Sequence, residues 1–524
     1  MKGAGYQLGD RVLVNDYIGT IRYKGAVANS KGIYYGVEWD VASRGKHNGT
    51  HQGVTYFTTS DGQDSASFIK EKMIAEQMTC SEAIKDKYGK IEDGSTGIDE
   101  AQACLTQASK SRIINIEVVG MQKIGDLLSR FDQLRMVNVA RMGIWGEPDS
   151  DALGELIPLA DELNLSNNLL KTWKDVGDII KPLPLLTCLH LSGNRLVYRD
   201  LERVERTGFD RLKRLKLMDM NLIWEEVVAC SHLWIQISEL HLCKNRIEKI
   251  TTSPNFQSLK LLDLAENSLR SWANVKPFAQ LPKLKELLVY DCDLSDISVE
   301  PGDFPSLRAL DLAINCISEW RHISELNKLP SLTELMFKSN PVLEGEDVET
   351  NRQLVIAKIP HLKKYNRTDI DAKERQGAEI DYSKRFGEEW MLCGASLEVT
   401  ESNRQFYAEH PTYLPIITKW GAPEKTEVKQ SKPKSAIKES LIELTFIDLV
   451  TESGKEVSKY IPYTMNVVKC RNLAMKLLGI KGIPSVITYR SHQNGEEYDF
   501  DYDLRQLTFY NVQHGDEILL RQIP

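Results

Sequence analysis

A lysine and a histidine stand inside a glycine-framed stretch, Gly45-Lys46-His47-Asn48-Gly49. An ammonium group and backbone amides gathered at a glycine-rich turn suit a carboxylate. Trp39 precedes the stretch and Tyr56-Phe57 follows it. A groove lined by aromatic side chains suits a terminal Tyr or Phe ring. The chemistry these types offer is recognition of a chain end, not bond breaking. The chain has no phosphate-binding G-x-x-x-x-G-K-[ST] loop, no G-x-S-x-G elbow, no H-E-x-x-H pair, no EF-hand loop and no zinc spacing. Its ten histidines do not cluster along the sequence. No catalytic residue, cofactor or metal site is expected, although constellations assembled from distant residues stay open.

The elements that must position this stretch are short strands. Apolar residues fall at Val12 and Val14, Ile18, Ile21 and Tyr23, Val37 and Trp39, Tyr56 and Phe57, and Phe68 and Ile69, with glycines between them. That pattern predicts a small all-β domain over residues 1–75 with tight turns and close backbone approach. Residues 1–73 carry nine basic and seven acidic side chains, a local charge of +2 in a chain whose net charge is −8.

Further along, one spelling, L-x-x-L-x-L-x-x-N-x-L with apolar and Asn swaps, recurs nine times. Its starts are Leu134, Ala160, Leu186, Leu212, Ile237, Leu259, Leu284, Leu307 and Leu332. This is a leucine-rich repeat, which predicts an α/β solenoid with one short strand and one return segment per repeat. Asn168, Asn194, Asn245, Asn267, Asn315 and Asn340 take the ninth position, and Cys292 substitutes there once. A buried amide must be hydrogen-bonded, so this row is expected to staple adjacent coils. Trp173, Trp224, Trp272 and Trp320 each precede Val or Ile by three residues, a spacing that suits a helical turn packed in the core.

On the strand side, Asn138, Asn164, His190, Lys216, His241, Asp263, Leu288, Asp311 and Met336 form the central exposed row. A basic stripe, Arg135, Lys213, Lys260, Lys285 and Arg308, flanks an acidic one, Glu162, Glu239, Glu286 and Glu334. Two readings fit such rows: solvated surface, or a docking face for a large charge-patterned partner. The segment from Ile356 to Glu379 resembles the cap that follows many such arrays, and the solenoid with its cap is placed at residues 110–380.

Residues 381–440 read as a helical segment followed by a linker, the polar 423–440 stretch carrying two prolines. Residues 441–524 predict strands Leu441–Leu449, Val457–Tyr463, Val486–Tyr489 and Glu517–Arg521, with a helix Val467–Leu478 after the second. The order β-β-α-β-β, together with Asp503-Leu504, Leu507 and Gly515-Asp516, resembles ubiquitin-like β-grasp domains, an α+β fold. The chain closes on Arg-Gln-Ile-Pro without a terminal di-glycine, which excludes conjugation to other proteins. The acidic run Glu496, Glu497, Asp499, Asp501 and Asp503 is expected to be a solvated loop.

At 524 residues the chain needs several cores. Its hydrophobic content of 42% and charged content of 27% suit packed globular domains. The negative charge argues against nucleic acid as the main partner. No apolar run is long enough to span a membrane. Nine scattered cysteines and a start without an apolar leader point to reduced thiols in the cytosol.

The segments GDRV, GTIRYKG, YYGVEWD, RGKHNGTHQGVTYF and SFIK match, in order and spacing, the cytoskeleton-associated glycine-rich, or CAP-Gly, domain. The resemblance implies capture of an acidic, aromatic-ended carboxyl-terminal peptide, such as the Glu-Glu-Tyr tail of α-tubulin. It assigns Lys46, His47, Asn48 and Gly49 to the tail, with Trp39 and Phe57 near the groove. This chain has His47-Asn48 where the family has Asn-Asp, and Ala66 where a glycine is usual. CAP-Gly, leucine-rich repeats and a ubiquitin-like domain, in that order, resemble the tubulin-folding cofactor E family over essentially the whole chain. That resemblance implies a non-enzymatic chaperone of the cytoplasm and cytoskeleton. It would capture α-tubulin and act with cofactors B, C and D in assembling and dismantling the α/β heterodimer. Lys213, Lys260, Lys285 and Arg308 would then face the tubulin body. The alternative is an adaptor that links microtubules to ubiquitin receptors or the proteasome.

Overall fold

Four antiparallel strands, Arg11–Val14, Tyr17–Ala26, Ile33–Trp39 and Ala66–Ile69, pair in that order and form the first sheet. The computed structural model describes residues 5–89, 130–198, 201–424 and, within 441–522, all but 452–453, 463–464, 481–484, 493–494, 501–504, 506 and 511. Two compact units contain them, Met1–Val428 and Lys429–Pro524. Alternation buries Val12, Val14, Ile21, Tyr35, Val37, Trp39 and Ile69 on one side of this sheet. Arg11, only 3% exposed, is neutralised by Asp40, with Nη1 donating to Oδ1 at 2.6 Å.

The repeats build one parallel sheet. Nine three-residue strands, from Met136–Asn138 to Glu334–Met336, pair in sequence order, followed by Lys364–Tyr365 and an antiparallel Thr368–Asp369. Register is strict: Leu163, Leu189, Leu215, Leu240, Leu262, Leu287, Leu310 and Leu335 lie opposite one another in turn. All are buried. Leu-to-Leu spacing of one repeat stacks the leucines into a single core.

The asparagine row acts as expected. Asn315 Oδ1 accepts from the amides of Cys292 and Leu294 at 3.0 Å each. Its Nδ2 donates to Val289 O at 2.9 Å and Leu312 O at 3.0 Å. One side chain thus satisfies four backbone groups on two coils. Cys292 replaces this amide with a thiol that donates to Leu264 O at 3.3 Å. Trp173, Trp224 and Trp272 are buried and open short helical turns, Trp173–Ile180, Trp224–Cys230 and Trp272–Asn274. Trp320 is partly buried and packs against both the repeat core and the helical layer beyond it.

Both ends of the solenoid core are covered, as an open edge of a repeat array would otherwise face water. At the start, helix Cys80–Gly89 sends Cys80, Ala83 and Ile84 into the repeat core, an i, i+3, i+4 face. The strand before it, Met78–Thr79, pairs with Ile144–Gly146. This cap falls between the two domains expected at 1–75 and 110–380. Of the solenoid as delimited from sequence, residues 110–129 lie outside the described residues.

At the far end the covering layer runs past residue 380, where a boundary was expected. Helices Ala372–Arg385, Gly387–Leu392, Arg404–Glu409 and Tyr413–Trp420 share a core with Leu354 and Ala357 of helix Val348–Lys358. The segment is therefore packed structure up to Trp420. The expected linker falls mostly on 425–440, outside the described residues.

The second unit is a five-stranded sheet in the order Glu456–Pro462, Leu441–Asp448, Glu517–Gln522, Ser485–Arg490, Glu497–Asp499. Its two central strands, Leu441–Asp448 and Glu517–Gln522, run parallel. Helix Val467–Leu478 packs on it, capped by the Asn466 side chain and ended at Gly479, whose φ of +82° a glycine adopts freely. This is the β-grasp arrangement. The acidic run corrects one expectation. Glu497–Asp499 is an exposed strand paired antiparallel with Ser485–Arg490, and Glu497 also meets Arg490 at 2.8 Å and Arg521 at 2.7 Å. Asp501 and Asp503 lie outside the described residues. No described helix is long and apolar enough to cross a membrane.

Candidate functional site

The glycine-framed stretch is held against the edge of the first sheet. Lys46 and His47 both donate backbone N–H to Ala66 O, at 2.7 and 3.2 Å, and Ala66 N–H returns to His47 O at 2.9 Å. Ala66 itself sits in a regular strand opposite Glu38, so the missing glycine costs no turn geometry. Gly49 cannot be replaced so easily. Its φ is +97°, and a Cβ there would lie 2.0 Å from Phe57 O.

This geometry corrects one sequence inference. The backbone amides of Lys46 and His47 are consumed by Ala66, that of Gly49 by His47 Nδ1 at 3.1 Å, and that of Thr50 by Asn48 Oδ1 at 3.2 Å. Those four amides are closed to a ligand, which leaves the Lys46 ammonium as the positive group at this turn. Lys46 and Asn48 are exposed, and Lys46 makes no ion pair among the described residues.

Beside Lys46 lies a half-exposed aromatic cluster centred on Phe68. Its ring centroid is 4.8 Å from His47, 5.2 Å from Tyr56, 5.9 Å from Phe57 and 5.9 Å from Tyr23. His51 joins at 6.0 Å. Such edge-to-face packing gives a rigid apolar wall at little entropy cost. Phe57 reaches it over Gly36, where a Cβ would stand 2.3 Å from the Phe57 ring. Trp39 is elsewhere: it is 3% exposed and belongs to the core, with the Arg44 guanidinium 5.1 Å from its ring centroid. Burial, then the neighbouring His51, lowers the His47 pKa, and its Nδ1 accepts the Gly49 N–H, so the ring is neutral at pH 7. From sequence, Phe68 and Tyr23 read only as apolar strand positions, and His51 carries no assigned role. Tyr23 and Phe68 flank Gly36 on the strand between them, and His51 comes from a separate hairpin, a juxtaposition that spacing alone does not give.

The domain is fastened to the repeats. Lys171 Nζ meets Asp10 Oδ1 at 2.9 Å, and Gln77 Nε2 donates to Arg11 O at 2.9 Å.

On the sheet of the solenoid, the residues preceding each strand form a backbone ladder. Lys285 N–H donates to Lys260 O at 2.8 Å and Arg308 N–H to Lys285 O at 2.8 Å. Lys260, Lys285 and Arg308 thus occupy adjacent rungs, about 5 Å apart. All three are exposed, as is Lys213, whose Nζ meets Gln236 Oε1 at 3.3 Å. A shallow depression near the last rungs is lined by Glu286, Leu288, Asp311, Met336, Lys364 and Arg367.

Taken together, a CAP-Gly domain, a leucine-rich solenoid with a charge-striped face and a β-grasp domain define a multidomain binding protein. Residues 8–74 match the CAP-Gly domain family. The chain is 34% identical over 522 residues to tubulin-specific chaperone E of Xenopus laevis, across 98% of both chains. It is 33% identical to the Homo sapiens protein of that name and 31% to the Drosophila melanogaster one, again across 98% of each. The chain belongs to the tubulin-specific chaperone E family. Among solved structures it is similar to the carboxyl-terminal ubiquitin-like domain of mouse tubulin-specific chaperone E. That match has 27% identity, covers 18% of this chain and 96% of that one, and has a TM-score of 0.15.

Proposed function

We propose that this protein is a tubulin-folding chaperone that captures α-tubulin and takes part in assembling and dismantling the α/β heterodimer. The carrying observation is relatedness along the full length to chaperones of that name, with an exposed Lys46 beside the open Phe68 cluster. The Lys46 ammonium meets the acidic tail or its terminal carboxylate, and the aromatic wall formed with Phe57 and His47 receives the terminal ring. Asn48 and Gly49 shape the turn, and Trp39 supports it from the core. Lys213, Lys260, Lys285 and Arg308 contact the tubulin body. The β-grasp domain docks a partner, with cofactors B, C and D as the family's co-workers. The setting is the cytoplasm and cytoskeleton, and the role is non-enzymatic.

The physical logic separates holding from splitting. A tail peptide offers few contacts, so the first domain alone binds weakly. A second contact on the body raises affinity through effective concentration, by as much as about 10²–10⁴. Separation of α from β requires a ligand with different affinity for the two states, so it must come from domains that touch the tubulin body. Size-exclusion chromatography with purified tubulin dimer tests the reading. One α-tubulin should elute with each chain and β-tubulin should be released. Binding to polymer with dimers left intact would favour the adaptor.

A further inference from the structure

Repeats two and three place three metal-ligating side chains on adjacent strands. Cys188 and His190 are two residues apart on strand Cys188–His190, and Glu162 is the register partner of Cys188 on the neighbouring strand. Residues at i and i+2 share a face, so all three side chains emerge on the same side of the sheet. Cys188 Sγ is 3.3 Å from His190 Nε2, and His190 Nε2 is 3.2 Å from Glu162 Oε1. All three ligand atoms lie within 4.8 Å of one another. Tetrahedral zinc, with bonds of about 2.0–2.3 Å, needs ligand atoms roughly 3.3–3.6 Å apart. The two measured edges are close to that before any ion is present.

We infer that Glu162, Cys188 and His190 form a three-ligand site for a zinc-type divalent cation, with a fourth position open to solvent or to a partner on this face. The donor set of thiolate, imidazole and carboxylate suits zinc better than calcium or magnesium, which prefer all-oxygen shells. The sheet holds the ligands rigidly, and their side chains are largely sheltered: His190 is 14% and Glu162 18% exposed. Two cations, Arg214 and Lys216, stand nearby. Arg214 bonds Glu162 through the other carboxylate oxygen, Oε2, at 3.2 Å and orients the group, so that Oε1 faces His190 Nε2 across the site. Lys216, opposite His190, is on the sheet strand beyond it. Charge balances as well. The ion would displace the Cys188 thiol proton, and its two positive charges would be matched by the thiolate and the Glu162 carboxylate. No local motif marks this group, because its members come from two successive repeats, joined by the register of Glu162 with Cys188.

The test is a Co²⁺ titration of the full chain without an affinity tag, followed by Zn²⁺ competition against a chromophoric chelator. The expected result is one high-affinity ion per chain, a thiolate-to-cobalt charge-transfer band, and release of one proton. Cys188→Ser should abolish the band, and His190→Ala should weaken Zn²⁺ at least about tenfold. Thermal melts of both metal-free variants establish that they fold. His190→Gln, which retains a polar side chain, serves as the second variant if His190→Ala does not. A band that persists in Cys188→Ser, or no band in the wild type at equimolar Co²⁺, overturns the site. The readout needs no tubulin, so it stands or falls apart from the chaperone reading.

Discussion

The CAP-Gly aromatic cluster and the solenoid face are both proposed binding surfaces, but they are built in opposite ways. In the groove, every chemical group except Tyr23 comes from a stretch between Gly45 and Phe68, folded back so that the Phe68 ring touches His47, Tyr56 and Phe57. On the solenoid, neighbours such as Lys260 and Lys285 lie 25 residues apart in sequence and meet only through the ladder. A compact motif can bind a short flexible peptide. A ladder of equal rungs fits a broad, rigid surface. The difference fits the proposed division into tail capture and body contact, and it predicts which substitutions damage folding and which damage only binding.

The strongest break is at Gly49. Gly49→Ala puts a methyl 2.0 Å from a backbone oxygen at a left-handed φ. A loss of about 3 kcal/mol or more in the first domain's stability is expected, with loss of tail-peptide binding. Thermal melts and peptide calorimetry on the full chain would show both.

In the solenoid the matching position is an internal staple. Asn315→Ala strands four backbone groups and should cost about 2–4 kcal/mol, lowering the melting temperature without changing affinity for an EEY-ended peptide. Asn245 is only half-buried and should cost less. A stable Asn315→Ala chain that no longer binds tubulin would make the row a contact surface.

The helical layer beyond the repeats should carry an acid-sensitive term. Burial and the nearby Lys358 hold the His410 pKa down to about 3, while Phe386 and Phe406 stack on its ring. Unfolded His titrates near 6.5, so between those values the unfolded chain binds the extra proton. Stability contributed here is present above pH ~6.5 and falls as pH drops, by about 2 kcal/mol at pH 5. His410→Gln should flatten that slope in melts taken from pH 7 to 5.

Single changes on the basic stripe should do least. Lys285→Glu leaves folding intact and weakens tubulin binding by about 1 kcal/mol, an effect that shrinks with added salt. Equal loss at high and low salt would point away from an electrostatic contact.

Sequence carried the repeat core well, because a period near 25 residues and a fixed Leu–Asn spelling translate directly into register. The glycine-rich stretch was legible for a similar reason: its spacing is local. Three features escaped. Helix Cys80–Gly89 shows only one short apolar face, and its role as a cap depends on the exposed edge of a distant repeat. A helical segment is legible after residue 380, but its packing is not, because the core of Tyr382, Trp390, Tyr407 and Tyr413 exists only through tertiary contacts. The amides of Lys46, His47, Gly49 and Thr50 look available in sequence, which does not show that Ala66, His47 and Asn48 occupy them.

The central claim is that Lys46 reads the tubulin tail while the solenoid reads the body. It is tested most directly by a double cycle: wild-type chain and Lys46→Ala, each titrated with intact tubulin and with tubulin whose α-tail has been removed. Lys46→Ala should lose about 1–3 kcal/mol against intact tubulin and nothing further against tail-less tubulin. Both chains should keep the same residual, salt-dependent binding to the body. Additive losses from the substitution and the tail removal would contradict the account.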